Sequence, residues 1–254
     1  MNRIILSGCN GKMGGVVSKT ITENRDCVIV AGIDVKSGQQ EDYPVFSDPS
    51  GFQGKADVII DFSNPGMLDC LLTFAKSRKI PIVIATTGFS RAQIQEIEAA
   101  AKEIPVFFSA NMSLGVNLMI EIAKKAAAVL SPNFDIEIIE MHHNQKVDAP
   151  SGTALMIADG ISSVLDKEPQ YVYDRHSQRK KREKTEIGIH AIRGGTVVGE
   201  HEVIFAGQDE MITIRHSAMS KQVFAAGALK AAIFLMERKP GLYQMEHLVN
   251  TIGG

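Results

Sequence analysis

Ile4-Ile-Leu-Ser-Gly8-Cys-Asn-Gly11-Lys-Met-Gly14 comes almost at the start of the chain and decides how the rest is read. A run of β-branched and apolar residues passes directly into a glycine-rich turn, and a helix-like stretch follows at about 13 to 20. In that setting glycines permit a tight turn and close approach of the backbone to a pyrophosphate. The start of the next helix offers the anion unpaired N–H groups and a positive dipole end. The spacing is GxxGxxG rather than GxGxxG, so the motif alone also fits an ordinary tight turn.

Working outward, β-branched runs recur at Val28 to Ile33, Val58 to Phe62, Ile82 to Ala85 and Val106 to Phe108. Helix-like stretches lie between them at about 65 to 78 and 90 to 102. Alternation of this kind predicts an α/β fold with a Rossmann-like, doubly wound parallel sheet. After Asn111 the texture changes. A helix-like stretch over about 115 to 130 leads to DIEIIEMHH, then to a turn containing Pro150, then to a second helix-like stretch from 152 to 165. Residues 187 to 217 alternate between apolar and polar with glycines between the runs, which predicts a second, α+β domain with a mixed or antiparallel sheet. The polar stretch from Asp166 to Glu186 contains the basic run 175 to 184. It reads as a mobile surface loop, either a solvated face or a feature that draws in an anionic ligand. From about 221 the chain reads as a helix ended near Pro240 and Gly241.

With 254 residues, 44% hydrophobic and 22% charged, the chain is long enough to bury a sizeable core. A formal net charge of -2 gives no overall attraction to nucleic acid or to an anionic membrane, which favours a small-molecule ligand held by a local site. Cys9, Cys27 and Cys70 show neither a CxxC pair nor zinc-ligand spacing, so neither a disulfide framework nor a structural metal is expected. The first apolar run is too short for a signal segment or a membrane span, and a cytoplasmic location is the expectation.

Two features bear on the cofactor. Asp34 ends the run VIVAGID, where an acidic side chain can accept hydrogen bonds from the ribose hydroxyls of NAD. Lys12 and Lys36 lie near enough in sequence to pair with a 2′-phosphate, so use of both NADH and NADPH is expected, with NADH favoured. Ala85-Thr86-Thr87-Gly-Phe89 and Ser109-Ala110-Asn111-Met112-Ser113 follow the fourth and fifth runs. The carboxyl ends of strands are where such sheets bind ligands, although either segment also fits a simple turn.

The densest group of reactive side chains is Glu140-Met-His-His-Asn-Gln-Lys-Val-Asp-Ala-Pro-Ser-Gly-Thr153. Successive residues of a strand face opposite sides, so His142 and His143 have different tasks. A histidine gives or takes a proton near neutral pH, and Lys146 offers a positive charge or an acidic proton. Ser151, Gly152 and Thr153 follow Pro150 at an expected helix start, a place suited to holding a carboxylate. No HExxH or cysteine partner accompanies the histidines, so a zinc site is not expected.

GxxGxMG, ATTGF, SANMSLGVN and EMHHNQKVDAPSGTA together resemble the 4-hydroxy-tetrahydrodipicolinate (dihydrodipicolinate) reductases, and the likeness continues through AIRGGTVVGEHEVIF and FAAGALKAA. The resemblance implies a dinucleotide-binding domain over 1–113 plus 222–254 and a substrate-binding and oligomerisation domain over 114–221. It also implies closure of one domain over the other, a homotetramer and a small dicarboxylate substrate. It places the dinucleotide loop at Gly8, Cys9, Asn10, Gly11, Lys12 and Met13, the ribose acid at Asp34, and the nicotinamide-side loops at Ala85 to Thr87 and Ala110 to Ser113. It makes His142 the proton donor/acceptor and Lys146 the catalytic lysine, with His143, Ser151, Gly152 and Thr153 holding substrate. Two departures stand out: Lys221 where the family commonly has arginine, and Val35-Lys36 where many relatives put a basic residue directly after the acid. Two other readings are open, a dinucleotide sensor without turnover and another amino-acid-pathway dehydrogenase. The first has no use for a proton donor beside a carboxylate site, and the second shares only the glycine loop.

Overall fold

The structure, a computed structural model, describes residues 1–36, 38–39, 42–131 and 133–252. In chain order the elements are β1 (Asn2–Ser7), α1 (Lys12–Thr22), β2 (Cys27–Ile33), β3 (Gly38–Gln39), β4 (Pro44–Phe46), β5 (Val58–Asp61), α2 (Leu68–Arg78), β6 (Ile82–Ile84), α3 (Arg91–Ala100) and β7 (Pro105–Phe108). They continue with α4 (Leu114–Leu130), β8 (Asp135–His142), α5 (Gly152–Ser162), β9 (Gln170–Val172), β10 (Glu186–Arg193), β11 (Gly199–Ala206), β12 (Met211–Ala218), α6 (Gln222–Met236), β13 (Gly241–Tyr243) and α7 (Met245–Ile252). Two compact units result: Met1–Leu114 with Lys221–Gly254, and Gly115–Ser220. Residues 253–254, the end of the expected nucleotide domain, lie outside the described residues.

The first unit is a doubly wound α/β sheet in the order β13-β7-β6-β5-β1-β2-β4-β3, parallel except for the edge strand β3. Its central strands read as unbroken apolar runs because both faces are covered. Alternate residues go to opposite layers. Ile4, Leu6, Val58 and Ile60 pack with α1 and α6, while Ile5, Ile59, Ile82 and Ile84 pack with α2 and α3. A fully buried isoleucine in such a layer contributes about 1.5–3 kcal/mol of transfer free energy. From β1 the chain steps one way to β2 and the other way to β5, so the strand order reverses beside β1, the crevice where such sheets hold ligands. The elements absent from the sequence reading are β3, β4, β13 and α7. The first three are only two or three residues long and are defined by pairing rather than by their own pattern.

The second unit has a mixed sheet in the order β12-β11-β8-β10-β9, with β8, β10 and β9 parallel and β11 antiparallel to both of its neighbours. One face carries Ile136, Ile138, Ile187, Ile189, Val203 and Phe205 against Val116, Met119 and Ala123 of α4 and Ala154, Ile157 and Ile161 of α5. Along β8 the same face changes character. Ile136 and Ile138 are core residues, and the next two on that side are Glu140 and His142, both buried.

The basic run 175–184 is a surface stretch, as expected, exposed throughout except at half-buried Arg182. Within the polar stretch, Gln170–Val172 forms β9 beside β10, and Arg175 and Arg182 bond the unit's own carboxylates. Arg175 bonds Glu186 at 2.7 Å and Glu137 at 2.8 Å. Arg182 bonds Glu137 and Asp135 at 3.0 Å each and also reaches the carbonyls of Ile136 and Glu186. Lys180 lies 3.2 Å from the Glu186 carboxylate. Buried Glu186 and half-buried Glu137, the latter shared with His190 at 2.7 Å, draw these side chains onto the sheet while the loop itself stays in solvent.

Candidate active site

In the first unit the three glycines of the loop do separate jobs. Gly8 has φ +77°, and a Cβ there would lie 2.5 Å from the Phe62 carbonyl oxygen at the end of β5, so only glycine fits. Gly11 is the N-cap of α1 and supplies no side-chain cap, leaving the first turn of that helix to another acceptor. A Cβ on Gly14 would lie 2.1 Å from the Gly8 carbonyl oxygen, so its absence lets α1 start directly against the loop. Asn10, Gly11 and Lys12 are exposed at the tip, and Met13 is half-buried. Cys9 contributes backbone only. Its side chain is 3% exposed, and burial pushes the thiol up to about 11.

Asp34 sits beside this tip. One of its carboxylate oxygens accepts the Asn10 N–H at 2.9 Å, and the Asn10 side-chain amide donates to the Lys36 carbonyl at 3.2 Å. A cleft of about 360 Å³ is lined by Gly8, Asn10, Gly11, Asp34, Lys36 and Phe62, among others. Shape and donors both suit a nucleotide, since a side chain at position 8 would fill the cradle and the helix start presents N–H groups to an anion.

The other loops of this unit are built around a carboxyl group that sequence reading missed. Asp61, at the end of β5, is 1% exposed and accepts from the Thr86 hydroxyl at 2.7 Å and from the Ser63 hydroxyl and N–H. Burial pushes its carboxyl above the ordinary range, against the pull of those hydrogen bonds. Asp61 thereby fixes Thr86, while Ala85 is buried and Thr87 exposed. In the neighbouring loop the Ser109 hydroxyl donates to the Asn111 carbonyl at 2.8 Å, and the Asn111 side chain accepts the Ser113 N–H at 2.9 Å. Asn111, Met112 and Ser113 are buried and Ala110 is exposed. Lys221, just ahead of α6, is exposed and makes no side-chain cap.

In the second unit the carboxyl end of β8 gathers a cluster of titratable side chains. His142 is 8% exposed, and its Nδ1 lies 2.6 Å from the Glu140 carboxylate. Glu140 is wholly buried. Arg193 grips both of its oxygens at 2.8 Å, and the Ser151 N–H donates to it at 3.0 Å. Burial opposes the charge on Glu140, but these donors more than offset it and hold the carboxyl below its ordinary range. The other ring nitrogen, Nε2, faces Gly199, where a Cβ would stand 3.0 Å away.

Behind His142 lies His201, its ring centroid 5.2 Å away. His201 Nε2 meets the Ser151 hydroxyl at 3.1 Å, and that hydroxyl accepts the Ala154 N–H as the N-cap of α5. Burial and the neighbouring His142 push the His201 pKa down to about 4, so this ring is neutral at pH 7. His143 is half-buried just past the strand and is held through its N–H to the Val197 carbonyl at 2.8 Å.

Lys146, expected as the catalytic lysine, and Gly152, expected to hold substrate, meet a carboxylate of the chain itself. Lys146 Nζ lies 2.7 Å from Asp148, which also accepts the Gly152 N–H, and the lysine holds the Asp148 carboxyl below its ordinary range. Thr153 follows in the first turn of α5 and is half-buried. The structure thus brings His142, Lys146, Ser151, Gly152 and Thr153 into one unit around Glu140 and Asp148. Sequence reading placed Glu140 in the reactive cluster without a role and gave none to Arg193 or His201. The available signal was the two-residue spacing of Glu140 and His142 along a strand, which puts them on one face. Among the described residues no group of three or more His, Cys, Asp or Glu side chains is placed to hold a metal ion, and no helix is long and apolar enough to cross a membrane.

Known proteins match the chain along nearly its whole length. The family profile described as dihydrodipicolinate reductase, N-terminus, matches residues 2–112, and that described as dihydrodipicolinate reductase, C-terminus, matches 115–249. The 4-hydroxy-tetrahydrodipicolinate reductase of Caldanaerobacter subterraneus subsp. tengcongensis is 57% identical over 249 residues, 98% of each chain. The enzyme of the same name from Clostridium novyi is 48% identical over 251 residues, 99% of each. Among solved structures, the dipicolinate-bound dihydrodipicolinate reductase from Paenisporosarcina sp. TG-14 superposes with a TM-score of 0.84 at 29% identity, covering 97% of this chain and 99% of that one.

Proposed function

The chain belongs to the dihydrodipicolinate reductase family, and from that premise we propose that it reduces 4-hydroxy-tetrahydrodipicolinate, after loss of its 4-hydroxyl as water, to tetrahydrodipicolinate in lysine/diaminopimelate biosynthesis. The observation that carries the reading is His142, a buried imidazole with one nitrogen committed to a carboxylate and the other left to handle a proton. When bound, a nicotinamide nucleotide would supply a hydride to one ring carbon of the cyclic unsaturated dicarboxylate. The protonated His142 ring delivers the balancing proton from Nε2 to the neighbouring carbon. Lys146 and the α5 N-terminus at Gly152 and Thr153 hold a ring carboxylate in place of Asp148, with Ser151 fixing the helix start and His143 completing the substrate's surroundings.

Gly8 to Met13 hold the pyrophosphate, Asp34 the ribose, and Ala85 to Thr87 with Ala110 to Ser113 the nicotinamide side. Asp34 has one oxygen bonded to Asn10 and the other available to a ribose hydroxyl, which favours NADH. Lys12 and Lys36, both exposed, provide for NADPH as well. The working form is a cytoplasmic homotetramer.

The test is oxidation of NADH and of NADPH with substrate made in situ from pyruvate and aspartate semialdehyde by the preceding synthase. Synthase-dependent oxidation is expected with both cofactors and a higher kcat/KM for NADH. Folded protein that binds nucleotide yet oxidises neither would sink the reading.

A further inference from the structure

Resting on the reaction just proposed, we infer that Glu140 is a positioning residue that selects the tautomer of His142 and ties this proton donor to the start of helix α5. Its carboxylate has four donors around it. Oε2 accepts from His142 Nδ1 at 2.6 Å and from Arg193 Nη1 at 2.8 Å. Oε1 accepts from Arg193 Nη2 at 2.8 Å and from the Ser151 N–H at 3.0 Å. The side chain is fully shielded from solvent, so water cannot replace any of these partners.

The consequence for His142 follows from what each partner is able to do. Arginine and a backbone N–H only donate. A carboxylate only accepts, so the neutral imidazole must carry its proton on Nδ1, and Nε2 is the nitrogen that takes up and releases the catalytic proton. Ser151 is both the N-cap of α5 and a ligand of Glu140, so the same carboxylate sets the proton donor and the carboxylate-holding helix start in one frame. Bidentate Arg193 fixes the plane of that carboxylate.

Substitution by glutamine sharpens the inference. The amide must place an NH2 where one oxygen stood. On the Oε1 side it would face Arg193 Nη2 and the Ser151 N–H, neither of which can become an acceptor. On the Oε2 side it meets Arg193 Nη1, which cannot accept, and His142, the one partner able to switch. Glu140→Gln therefore turns the neutral ring to the Nε2–H form and leaves its protonated form without an acceptor at Nδ1.

The experiment combines ¹⁵N NMR of the histidine rings with steady-state kinetics. The native protein is expected to show neutral His142 protonated on Nδ1. Glu140→Gln should move that proton to Nε2, lower kcat on the order of 10²-fold or more, and leave KM for NADH within about twofold. Glu140→Asp, which keeps acceptor-only oxygens, should retain the Nδ1–H signal and recover much of kcat. A native ring protonated on Nε2, or a folded glutamine variant with kcat within about threefold of native, would overturn the inference. Should the glutamine variant not fold, the native tautomer decides alone. Native protein that shows Nδ1–H but oxidises neither cofactor with substrate would remove the proposed reaction and leave the assignment of the tautomer standing.

Discussion

Replacing Gly14 by alanine puts the nucleotide loop to a quantitative test. The new Cβ would stand 2.1 Å from the Gly8 carbonyl oxygen and 2.7 Å from two Cys9 backbone atoms, where real contacts do not fall below 3.0 Å. Backbone must therefore separate by roughly 0.9 Å, and it has little freedom to do so. Gly8 is fixed by its N–H to the Ile33 carbonyl at 2.8 Å and by its own close approach to Phe62. Overpacking of this kind costs about 3 kcal/mol. Alanine in a helix returns about 1 kcal/mol. The net loss of about 2 kcal/mol corresponds to a Tm lower by about 4–8 °C. NADH affinity should fall at least about tenfold, because the displaced atoms are those offered to the pyrophosphate. Gly15 is the internal control. It is exposed, and a Cβ there meets nothing within 4 Å, so Gly15→Ala should raise Tm by about 2–4 °C and leave binding alone. Thermal unfolding and titration of NADH fluorescence read both effects. A Gly14→Ala protein as stable as native with native affinity, or a Gly15→Ala protein harmed as much, would refute the steric account.

Two further outcomes are expected. His201 has a folded pKa near 4, below the ordinary 6.5, so the folded state refuses a proton that the unfolded chain accepts. The stability it contributes is complete above about pH 6.5 and is lost as pH falls toward 4. Between about pH 7.5 and 5 this amounts to about 2 kcal/mol, which urea unfolding of His201→Gln should show removed from the pH dependence; an unchanged acid limb would discard the assignment. Arg182→Ala should destabilise the second unit by about 2 kcal/mol with substrate KM within about twofold, since the side chain serves Glu137, Asp135 and three carbonyls of its own unit. A raised KM at unchanged stability would restore the anion-attracting role.

The parts of the fold that were legible in the sequence are those whose signal is local. The β-branched runs of β1, β2, β5, β6 and β7 carry their burial in their composition, and the glycine loop carries its turn. β13 and β4 were not legible because three residues become a strand only when β7 or β2 lies alongside. The site divides in the same way. His142, Lys146 and Ser151 cluster within ten residues and were found as a group. Arg193 reaches Glu140 across 53 positions of sequence, and His201 reaches Ser151 across 50, distances that a pattern of neighbours does not encode. In the basic run the local charge pattern gave the solvent exposure correctly but not the partners, Glu137 and Glu186, that hold Arg175 from 38 and 11 positions away.

The return of the chain through α6 and β13 has a consequence for how the protein is made. Ala225, Ala228, Ala232 and Leu235 of α6 fill one layer of the first unit's core, so that layer is open until the last part of the chain exists. The intervening Gly115–Ser220 is contiguous, and at roughly 5–20 residues per second a ribosome takes on the order of 5 to 20 s to translate it. During that interval one apolar face of the amino-terminal strands is covered by α1 alone, and the second unit, complete at Ser220, can close before α6 is made. The nucleotide-binding half, although synthesised first, is thus the half completed last, and it is the one exposed to aggregation or chaperone capture on the way.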